Sequence, residues 1–149
     1  MQIKFVTVKD TEFSDVFTIV KTALFEYVKA VFGWDDEFQK HRLRHDYDIH
    51  WYHWLYLNDK RIGLVCFKCV QNELHLHLLI LLPNFQGKGL GTLVMMQLQE
   101  MAKIKACQQI TLSSFKLNKK ALLFYENLGY QRVKIESDFY TMQSPRLNE

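Results

Sequence analysis

The sequence predicts an α/β (α+β) fold: a mixed, mostly antiparallel central sheet of about seven strands, with helices on both faces. Three observations predict it. Segments that alternate apolar and polar residues are interleaved with segments whose apolar residues recur at helical spacing. Short turn sequences at 58–60 and 137–138 join neighbouring strands as hairpins. A glycine-rich stretch, 87–91, connects a nearly all-apolar strand to a helix.

The first half of the chain contains a strand, two helices and a hairpin. Apolar residues at helical spacing predict a long helix that Asp10 or Thr11 caps and Gly33 ends. Asp35 or Asp36 starts a second, shorter helix. In chain order, we expect strand 3–8, helix 13–31, a helix ending near 45, strand 50–57 and strand 61–70.

The second half alternates strands and helices before a final hairpin. Asn118 is a typical helix N-cap, and Gly129 occupies the usual glycine position after a helix. The apolar strand before the glycines is expected to be central and buried. In chain order, we expect strand 74–82, helix 90–102, strand 110–115, helix 118–128, and hairpin strands 130–136 and 139–142.

Length and composition indicate one soluble domain over residues 1–149, with a loose tail at about 144–149. The net charge of +3 is too small to indicate nucleic-acid binding. No apolar stretch is long enough to cross a membrane, and the first residues lack the apolar core of a secretory signal. Three cysteines give no disulfide framework, so a cytoplasmic location is expected.

The segment Gln86-Gly87-Lys88-Gly89-Leu90-Gly91-Thr92 has the composition of a phosphate-binding turn. Glycines at a strand-to-helix junction permit a tight bend, and the first N–H groups of a helix have no internal partner. Such a turn suits a phosphate group. The spacing fits neither a P-loop nor a dinucleotide-binding fingerprint. A turn with no ligand remains the alternative.

Two motifs together resemble the GCN5-related N-acetyltransferase (GNAT) superfamily, in particular its bacterial single-domain members. One is Gln86-x-x-Gly89-x-Gly91, preceded by Leu79-x-Leu81-x-Pro83. The other is the Asn-capped helix that carries Tyr125 and closes in Gly129-Tyr130. The order and separation of the two motifs match the family. The resemblance is good over about residues 50–143.

The resemblance implies acetyl-CoA as acyl donor, without a metal, and an acetyl-CoA-binding core at about 72–130. The backbone around Leu79 and Leu81 would pair with the pantetheine arm, N–H groups of the glycine turn would hold the pyrophosphate, and Tyr125 would protonate the departing thiolate. The implied cofactor-binding residues are Leu79, Ile80, Leu81, Gln86, Gly87, Lys88, Gly89, Leu90, Gly91, Thr92, Asn118 and Tyr125.

The amine acceptor must lose a proton, and making a free alkyl amine neutral at pH 7 costs about 4–5 kcal/mol. Many relatives resemble one another in having a glutamate on the strand before the turn, whereas this chain has His75 and His77 there. Imidazole is well suited to accept a proton near neutrality. Either histidine is therefore a candidate base, with a structural pair as the alternative. Glu73 is a third candidate, which we expect in a turn.

The acceptor site is the least specific part of the sequence. Tyr27, Trp34 and Gln39 are candidates to contact the substrate. The acids Asp35 and Asp36 beside Trp34 suit a cationic amine but equally suit a helix start. The expected reaction is direct acetyl transfer to a small-molecule primary amine. The alternatives are a protein or peptide acceptor and a non-catalytic acyl-CoA-binding module, and the resemblance allows a homodimer.

Pairs of cysteine and histidine in the chain imitate a metal site. Cys66-x-x-Cys69 precedes His75-x-His77, but cysteines three apart on a strand point to opposite faces. They cannot then share one tetrahedral ion. We therefore expect no metal, and we expect no nucleic-acid or membrane partner.

Overall fold

The computed structural model describes residues 2–147, and the predicted elements are present in the predicted order. They are β1 (Lys4–Thr7), α1 (Phe13–Phe32), α2 (Asp36–His45), β2 (Tyr52–Leu57), β3 (Lys60–Val70), β4 (Glu73–Leu81), α3 (Leu90–Ile104), β5 (Gln109–Phe115), α4 (Lys119–Asn127), β6 (Gln131–Ile135) and β7 (Phe139–Gln143). The strands form one seven-stranded sheet in the order β1-β2-β3-β4-β5-β7-β6. Strands β4 and β5 pair in parallel, so the sheet is mixed. This confirms the predicted fold class.

The chain divides into two compact units, each built from two separate segments. The first contains residues 1–66 and 78–88, and the second contains residues 67–77 and 89–149. Strands β3 and β4 each contribute to both units. Within the part of the chain that the structure describes, no helix is both long and apolar enough to cross a membrane.

The first unit has an antiparallel ladder of β1, β2 and the start of β3, on which one face of α1 is buried. Tyr52 and Trp54 from β2 are almost completely buried. The buried side chains of α1 lie on one face of the helix, as the helical spacing in the sequence predicts. They are Phe13, Val16, Phe17, Val20 and Val28.

A close approach of two strands in this unit depends on one glycine. A Cβ atom added to Gly63 on β3 would lie 2.2 Å from the carbonyl oxygen of Ile80 and 3.1 Å from Cα of Leu81. The N–H of Leu82 donates to the carbonyl oxygen of Ile62 at 2.8 Å. Only glycine leaves room for the end of β4 in this position.

The start of α1 differs from the prediction. Neither Asp10 nor Thr11 caps the helix; a 3-10 turn, Asp10–Glu12, precedes it. The carboxylate of Glu12 accepts the backbone N–H of Lys9 at 2.8 Å, and that of Asp10 accepts from Arg44 at 3.2 Å. The end of the helix is as predicted, because Gly33 has φ +77° and its N–H donates to the carbonyl oxygen of Lys29.

Two-residue turns close both hairpins of the sheet's first half. Asn58 and Asp59 have φ values of 50° and 68°, and Gln71 and Asn72 have 51° and 68°. Two left-handed residues are typical of the type I′ turn, whose twist suits antiparallel strands. The second turn ends before Glu73. We expected Glu73 in the turn, but it is the first residue of β4.

The second unit contains the parallel pairing of β4 with β5 and the antiparallel pairs β5–β7 and β7–β6. Helices α3 and α4 bury apolar faces that include Val94, Leu98 and Leu122. The predicted N-cap of α4 is confirmed, since Oδ1 of Asn118 accepts the N–H of Ala121 at 3.2 Å.

The tail expected to be loose is held at its start. Ser144 is 4% exposed, its Oγ accepts the N–H of Ile110 at 2.9 Å, and its N–H donates to the carbonyl oxygen of Ile110. The N–H of Leu147 donates to the carbonyl oxygen of Gln108 at 2.8 Å. Residues 144 and 147 are thus bonded to the chain around β5, while residues 148 and 149 lie outside the described part.

Candidate functional site

The glycine turn before α3 is bent by left-handed residues. Gly87 and Gly89 have φ values of 72° and 77°, a conformation that costs other L-residues roughly 1–2 kcal/mol. A Cβ at either position would meet no protein atom within 4 Å. Glycine is therefore required here by the backbone conformation, and the space in front of these residues is open to a ligand.

The N-terminus of α3 offers backbone donors to that space. The first helical hydrogen bond from this end is made by the N–H of Leu93, which donates to the carbonyl oxygen of Gly89 at 3.2 Å. The N–H groups of Leu90, Gly91 and Thr92 precede it, and such groups have no partner within a helix. Together with the helix dipole they suit an anion such as pyrophosphate.

Gln86 holds the turn onto the strand before it. Its side-chain Nε2 donates to the carbonyl oxygen of Leu81 at 2.9 Å, and its N–H donates to the carbonyl oxygen of Pro83 at 3.3 Å. The conspicuous glutamine of the motif thus has a structural task in this chain. Lys88 is exposed, with Nζ 6.0 Å from the ring centre of Phe85.

Strand β4 extends beyond its pairing with β5. The parallel register runs from Glu73↔Gln109 to Leu76↔Leu112. Strand β4 then continues to Leu81 and β5 to Phe115. The peptide groups of β4 beyond Leu76 are not used by the ladder with β5, so those that face away from β3 are available to pair with an extended ligand. The three residues expected to do so, Leu79, Ile80 and Leu81, lie in this stretch.

Tyr125 is buried on α4. Its side chain is 8% exposed, and its ring centre lies 5.0 Å from that of Phe124 and 5.7 Å from that of Tyr130. Burial raises the pKa of the phenol above its usual value. The hydroxyl therefore carries its proton at neutral pH, as a proton donor must.

The cap residue of the same helix has one half of its side chain engaged. Because Oδ1 of Asn118 accepts from the backbone of Ala121, its NH2 group is the end that remains to contact a ligand. The position at the start of α4 is therefore compatible with both expected roles of this residue, the helix cap predicted from its position and the cofactor contact implied by the resemblance.

His75 and His77 are neighbours on one face of β4. Their ring centres are 4.6 Å apart, and Nδ1 of His75 lies 2.8 Å from Oγ1 of Thr111 on β5. Burial lowers the pKa of His75, and so does the charge of Lys68, against an opposing effect of Glu73. Burial, His75 and Lys68 lower the pKa of His77 to about 4. Both rings are thus neutral at pH 7.

The two histidines differ in how well they suit proton transfer. A base works best when its pKa lies near the working pH, and a pKa of about 4 makes His77 a weak acceptor. When Nδ1 of His75 donates to Thr111, Nε2 has a lone pair for a proton. Glu73 is engaged elsewhere, since its carboxylate accepts from Nε2 of Gln109 at 2.9 Å.

The charged groups around the candidate acceptor residues are paired with one another. Asp36 accepts from the indole N–H of Trp34 and forms an ion pair with Lys21 at 2.9 Å. These contacts hold the pKa of the Asp36 carboxyl below its usual value. Asp35 caps α2 through the N–H of Phe38 at 3.0 Å. The helix-start interpretation of these acids is the one their contacts favour.

The three predicted substrate residues differ in exposure. Tyr27 and Trp34 are half-buried, and the ring of Trp34 lies 5.3 Å from that of Phe25. Gln39 is only 5% exposed, and its Oε1 accepts from Nε of Arg42 at 3.2 Å. Its contacts are those of a packed side chain, so Gln39 has the weakest support of the three.

Sequence reasoning missed two side chains of this region. Thr111 binds His75, and alternation along β5 was the available signal, although the partner follows only from the parallel register. Tyr130 lies against Tyr125 and was read only as the aromatic end of a motif.

The metal-like pattern does not form a metal site. Cys66 is buried and Cys69 is exposed, in keeping with opposite faces of β3. Among residues 2–147, no group of three or more histidine, cysteine, aspartate or glutamate side chains is arranged to hold a metal ion.

The chain matches a family model over most of its length. The model for the Acetyltransferase (GNAT) family matches residues 15–130. The protein therefore belongs to the GNAT family.

Comparisons with curated proteins and solved structures agree with this assignment. The chain is 28% identical over 92 residues to N-alpha-acetyltransferase 30 of Dictyostelium discoideum, covering 58% of this chain and 49% of that protein. It is 35% identical over 57 residues to glucosamine 6-phosphate N-acetyltransferase of Trypanosoma brucei brucei, covering 38% and 37%. The chain thus spans about half, or less, of these relatives.

The fold is shared along the whole length of a solved structure. The PaiA N-acetyltransferase of Thermoplasma acidophilum, in complex with coenzyme A, superposes with a TM-score of 0.74. The alignment covers 97% of this chain and 99% of that chain at 15% identity. At this identity the likeness shows the fold.

Proposed function

We propose that this protein is a single-domain N-acetyltransferase that moves the acetyl group of acetyl-CoA to a primary amine of a small molecule. The observation that carries the proposal is the stretch of β4 beyond Leu76, which β5 does not pair, followed directly by a left-handed glycine turn and a helix N-terminus. An extended arm that ends in a pyrophosphate has the shape and charge that suit these groups. Membership of the GNAT family supports the same activity.

The acyl donor would be held mainly by backbone groups. Peptide groups of Leu79, Ile80 and Leu81 would pair with the pantetheine amides, as a further strand pairs with a sheet edge. The N–H groups from Gly87 to Thr92 would bind the pyrophosphate, with Lys88 adding charge and Gln86 fixing the turn. Asn118 would donate from its NH2 group.

The reaction would be a direct attack without an acyl-enzyme. The amine nitrogen attacks the thioester carbonyl carbon, the C–S bond breaks, and the thiolate takes a proton from the hydroxyl of Tyr125. The buried, protonated phenol of Tyr125 supports this role. Strand N–H groups near Leu81 would stabilise the carbonyl oxygen as it gains charge.

The proton of the incoming ammonium would pass to His75, directly or through a water molecule. Its hydrogen bond to Thr111 favours His75, and the pKa of about 4 disfavours His77. Replacing each histidine by glutamine and measuring kcat/KM against pH tests this assignment. Loss of the acidic limb in His75→Gln alone supports it, and unchanged profiles in both variants would remove it.

The acceptor class is the open part of the proposal. The Trypanosoma relative is named for a small amino sugar phosphate, which supports a small-molecule acceptor contacted by Tyr27 and Trp34, with Gln39 as a further candidate. The Dictyostelium relative is named for N-alpha-acetylation, which supports a peptide N-terminus as the second candidate. A non-catalytic acyl-CoA-binding module is the third, and Tyr125 argues against it.

Binding and turnover are measured separately to test the proposal. Acetyl-CoA at 100 times its Kd adds about 2.7 kcal/mol to the free energy of unfolding, or roughly 5–11 °C in Tm. Release of free CoA is then followed with a panel of small amines and of short peptides. If acetyl-CoA leaves Tm unchanged, the proposed site is contradicted. A shift without release from any acceptor supports the binding module, and the faster panel identifies the acceptor class.

Two further parts of the proposal concern the setting of the protein. We infer a cytoplasmic location, supported by cysteines that remain thiols. We also propose a homodimer, which the resemblance to the family allows and the richness in aromatic residues, 14% of the chain, permits; sedimentation of the purified protein tests it.

A further inference from the structure

The hydroxyl group of Tyr130 is buried without a partner. The side chain is 3% exposed, and its Oη has no hydrogen-bond partner within residues 2–147. Leaving a polar group in this state costs about 1–3 kcal/mol, whereas a phenylalanine would fill the same space without the hydroxyl. A hydroxyl that costs stability in this state suggests a partner gained during function.

The nearest phenol is the proposed proton donor. The ring centres of Tyr130 and Tyr125 are 5.7 Å apart with 47° between the ring planes. The N–H of Tyr130 donates to the carbonyl oxygen of Tyr125 at 3.0 Å, which keeps the backbones of the two residues close while their side chains remain able to change rotamer. Burial raises the pKa of Tyr130 above its usual value, and the nearby Tyr125 raises it further.

Burial creates a difficulty for Tyr125 that a second phenol can relieve. After Tyr125 gives up its proton it is a phenolate in an apolar environment, and burial raises its pKa and so opposes this state. An O–H donor beside a phenolate forms a charge-assisted hydrogen bond, which is stronger than a neutral one.

We propose that Tyr130 is a positioning residue that donates its O–H to Oη of Tyr125 while Tyr125 protonates the CoA thiolate. The proton on Tyr125 moves to sulfur, Tyr125 becomes a phenolate, and Tyr130 keeps its own proton while hydrogen-bonding to that oxygen. A proton from solvent then restores Tyr125. This inference rests on the proposed function and adds a residue to it.

The pKa of the thiol of bound CoA tests the phenol pair without an acceptor. The thiolate of CoA is followed by difference absorbance against pH with wild type, Tyr125→Phe and Tyr130→Phe. A chain of two phenols stabilises the thiolate, so we expect the bound thiol pKa to rise by roughly 0.5–1 unit in Tyr130→Phe, and by at least as much in Tyr125→Phe. The double variant should match Tyr125→Phe, because the two residues act in series.

Kinetics and stability separate this role from a structural one. In Tyr130→Phe we expect kcat to fall about tenfold with KM for acetyl-CoA unchanged, and Tm to stay level or rise because the unpaired hydroxyl is gone. Tyr140→Phe on β7, whose ring contacts Arg132, is the control and should behave as wild type.

The outcomes distinguish this inference from the proposed function. Tyr130→Phe with an unchanged thiol pKa and an unchanged kcat overturns the phenol pair while the function stands. A fall in Tm together with kcat assigns Tyr130 a packing role and also overturns it. If wild type binds no CoA, the proposed function fails and this inference fails with it.

Discussion

The region proposed for the acyl donor and the region proposed for the acceptor differ in how their polar groups are engaged. In the donor region, the first N–H groups of α3 precede the first helical hydrogen bond, and the end of β4 is not paired with β5. In the acceptor region, polar groups are paired with neighbouring side chains: Trp34 and Lys21 bind Asp36, and Gln39 binds Arg42.

This difference explains why one half of the reaction is easier to assign. A group bound to its neighbours must give up those contacts to bind a ligand, whereas an unused peptide group does not. The donor region is therefore prepared for a ligand of defined shape. The acids beside Trp34 make contacts at the start of α2. Their negative charge in the sequence is therefore weak evidence that they bind an amine.

The largest expected effect tests whether the donor region carries the chemistry. Removing the hydroxyl in Tyr125→Phe should lower kcat by about 10²–10⁴, since general acid catalysis contributes that much, with little change in KM for acetyl-CoA. Steady-state kinetics of CoA release measures it, with Tyr140→Phe as control. If kcat is equal in Tyr125→Phe and wild type, Tyr125 is not the proton donor and another group has that role.

The next effect concerns the open backbone of the glycine turn. Gly89→Ala should weaken acetyl-CoA binding roughly 10- to 100-fold by calorimetry, because it disturbs the N–H groups that face the ligand. Gly33→Ala is the matched control, since Gly33 also has φ +77° and open space around it but ends α1. Both variants should lose stability. Equal affinity in the two would show that the turn does not bind the donor.

A smaller effect tests the engaged acceptor region. Asp36→Asn removes the ion pair with Lys21, so Tm should fall slightly while KM for the amine changes less than about threefold. Glu37→Gln, which loses an exposed pair with Lys40, is the control. A KM that rises tenfold or more at unchanged Tm would reverse the comparison, because the carboxylate would then contact the substrate.

The last expected effect is a pH dependence of stability. The folded pKa of His77 is lowered to about 4, below the value of about 6.5 in an unfolded chain, so the unfolded state binds more protons between these values. Stability should be full above pH 6.5 and decline as pH falls toward 4. Thermal melts of His77→Gln should show a shallower decline, whereas the exposed His41→Gln should follow wild type.

Elements with local signals were predictable from the sequence. The alternation of β2 and β3, the helical spacing of α1 and the capping residues Asp35 and Asn118 all depend on neighbours in the chain. The 3-10 turn at the start of α1 was missed because three residues are too few to show a period. There the carboxylate of Glu12 accepts the backbone N–H of Lys9, before the turn, and neither Asp10 nor Thr11 caps α1.

The parts of the site that could not be predicted depend on distant pairing. The glycine turn is contiguous and was recognised, but the point where β4 and β5 part is set by the register Leu76↔Leu112. The bond between His75 and Thr111 depends on the same register. The unpartnered hydroxyl of Tyr130 follows only from packing, because a tyrosine and a phenylalanine fit the motif equally well.

Because Gly63 has no side chain, the end of β4 can lie directly against β3 at this position. Any residue with a Cβ would collide with the carbonyl group of Ile80 and push away the peptide groups on either side of it. A substitution there would change how the thioester carrier is gripped without altering any residue proposed to touch it. A loss of acetyl-CoA binding caused by a substitution at position 63 would therefore be hard to recognise, because residue 63 is not among the residues proposed to contact the ligand.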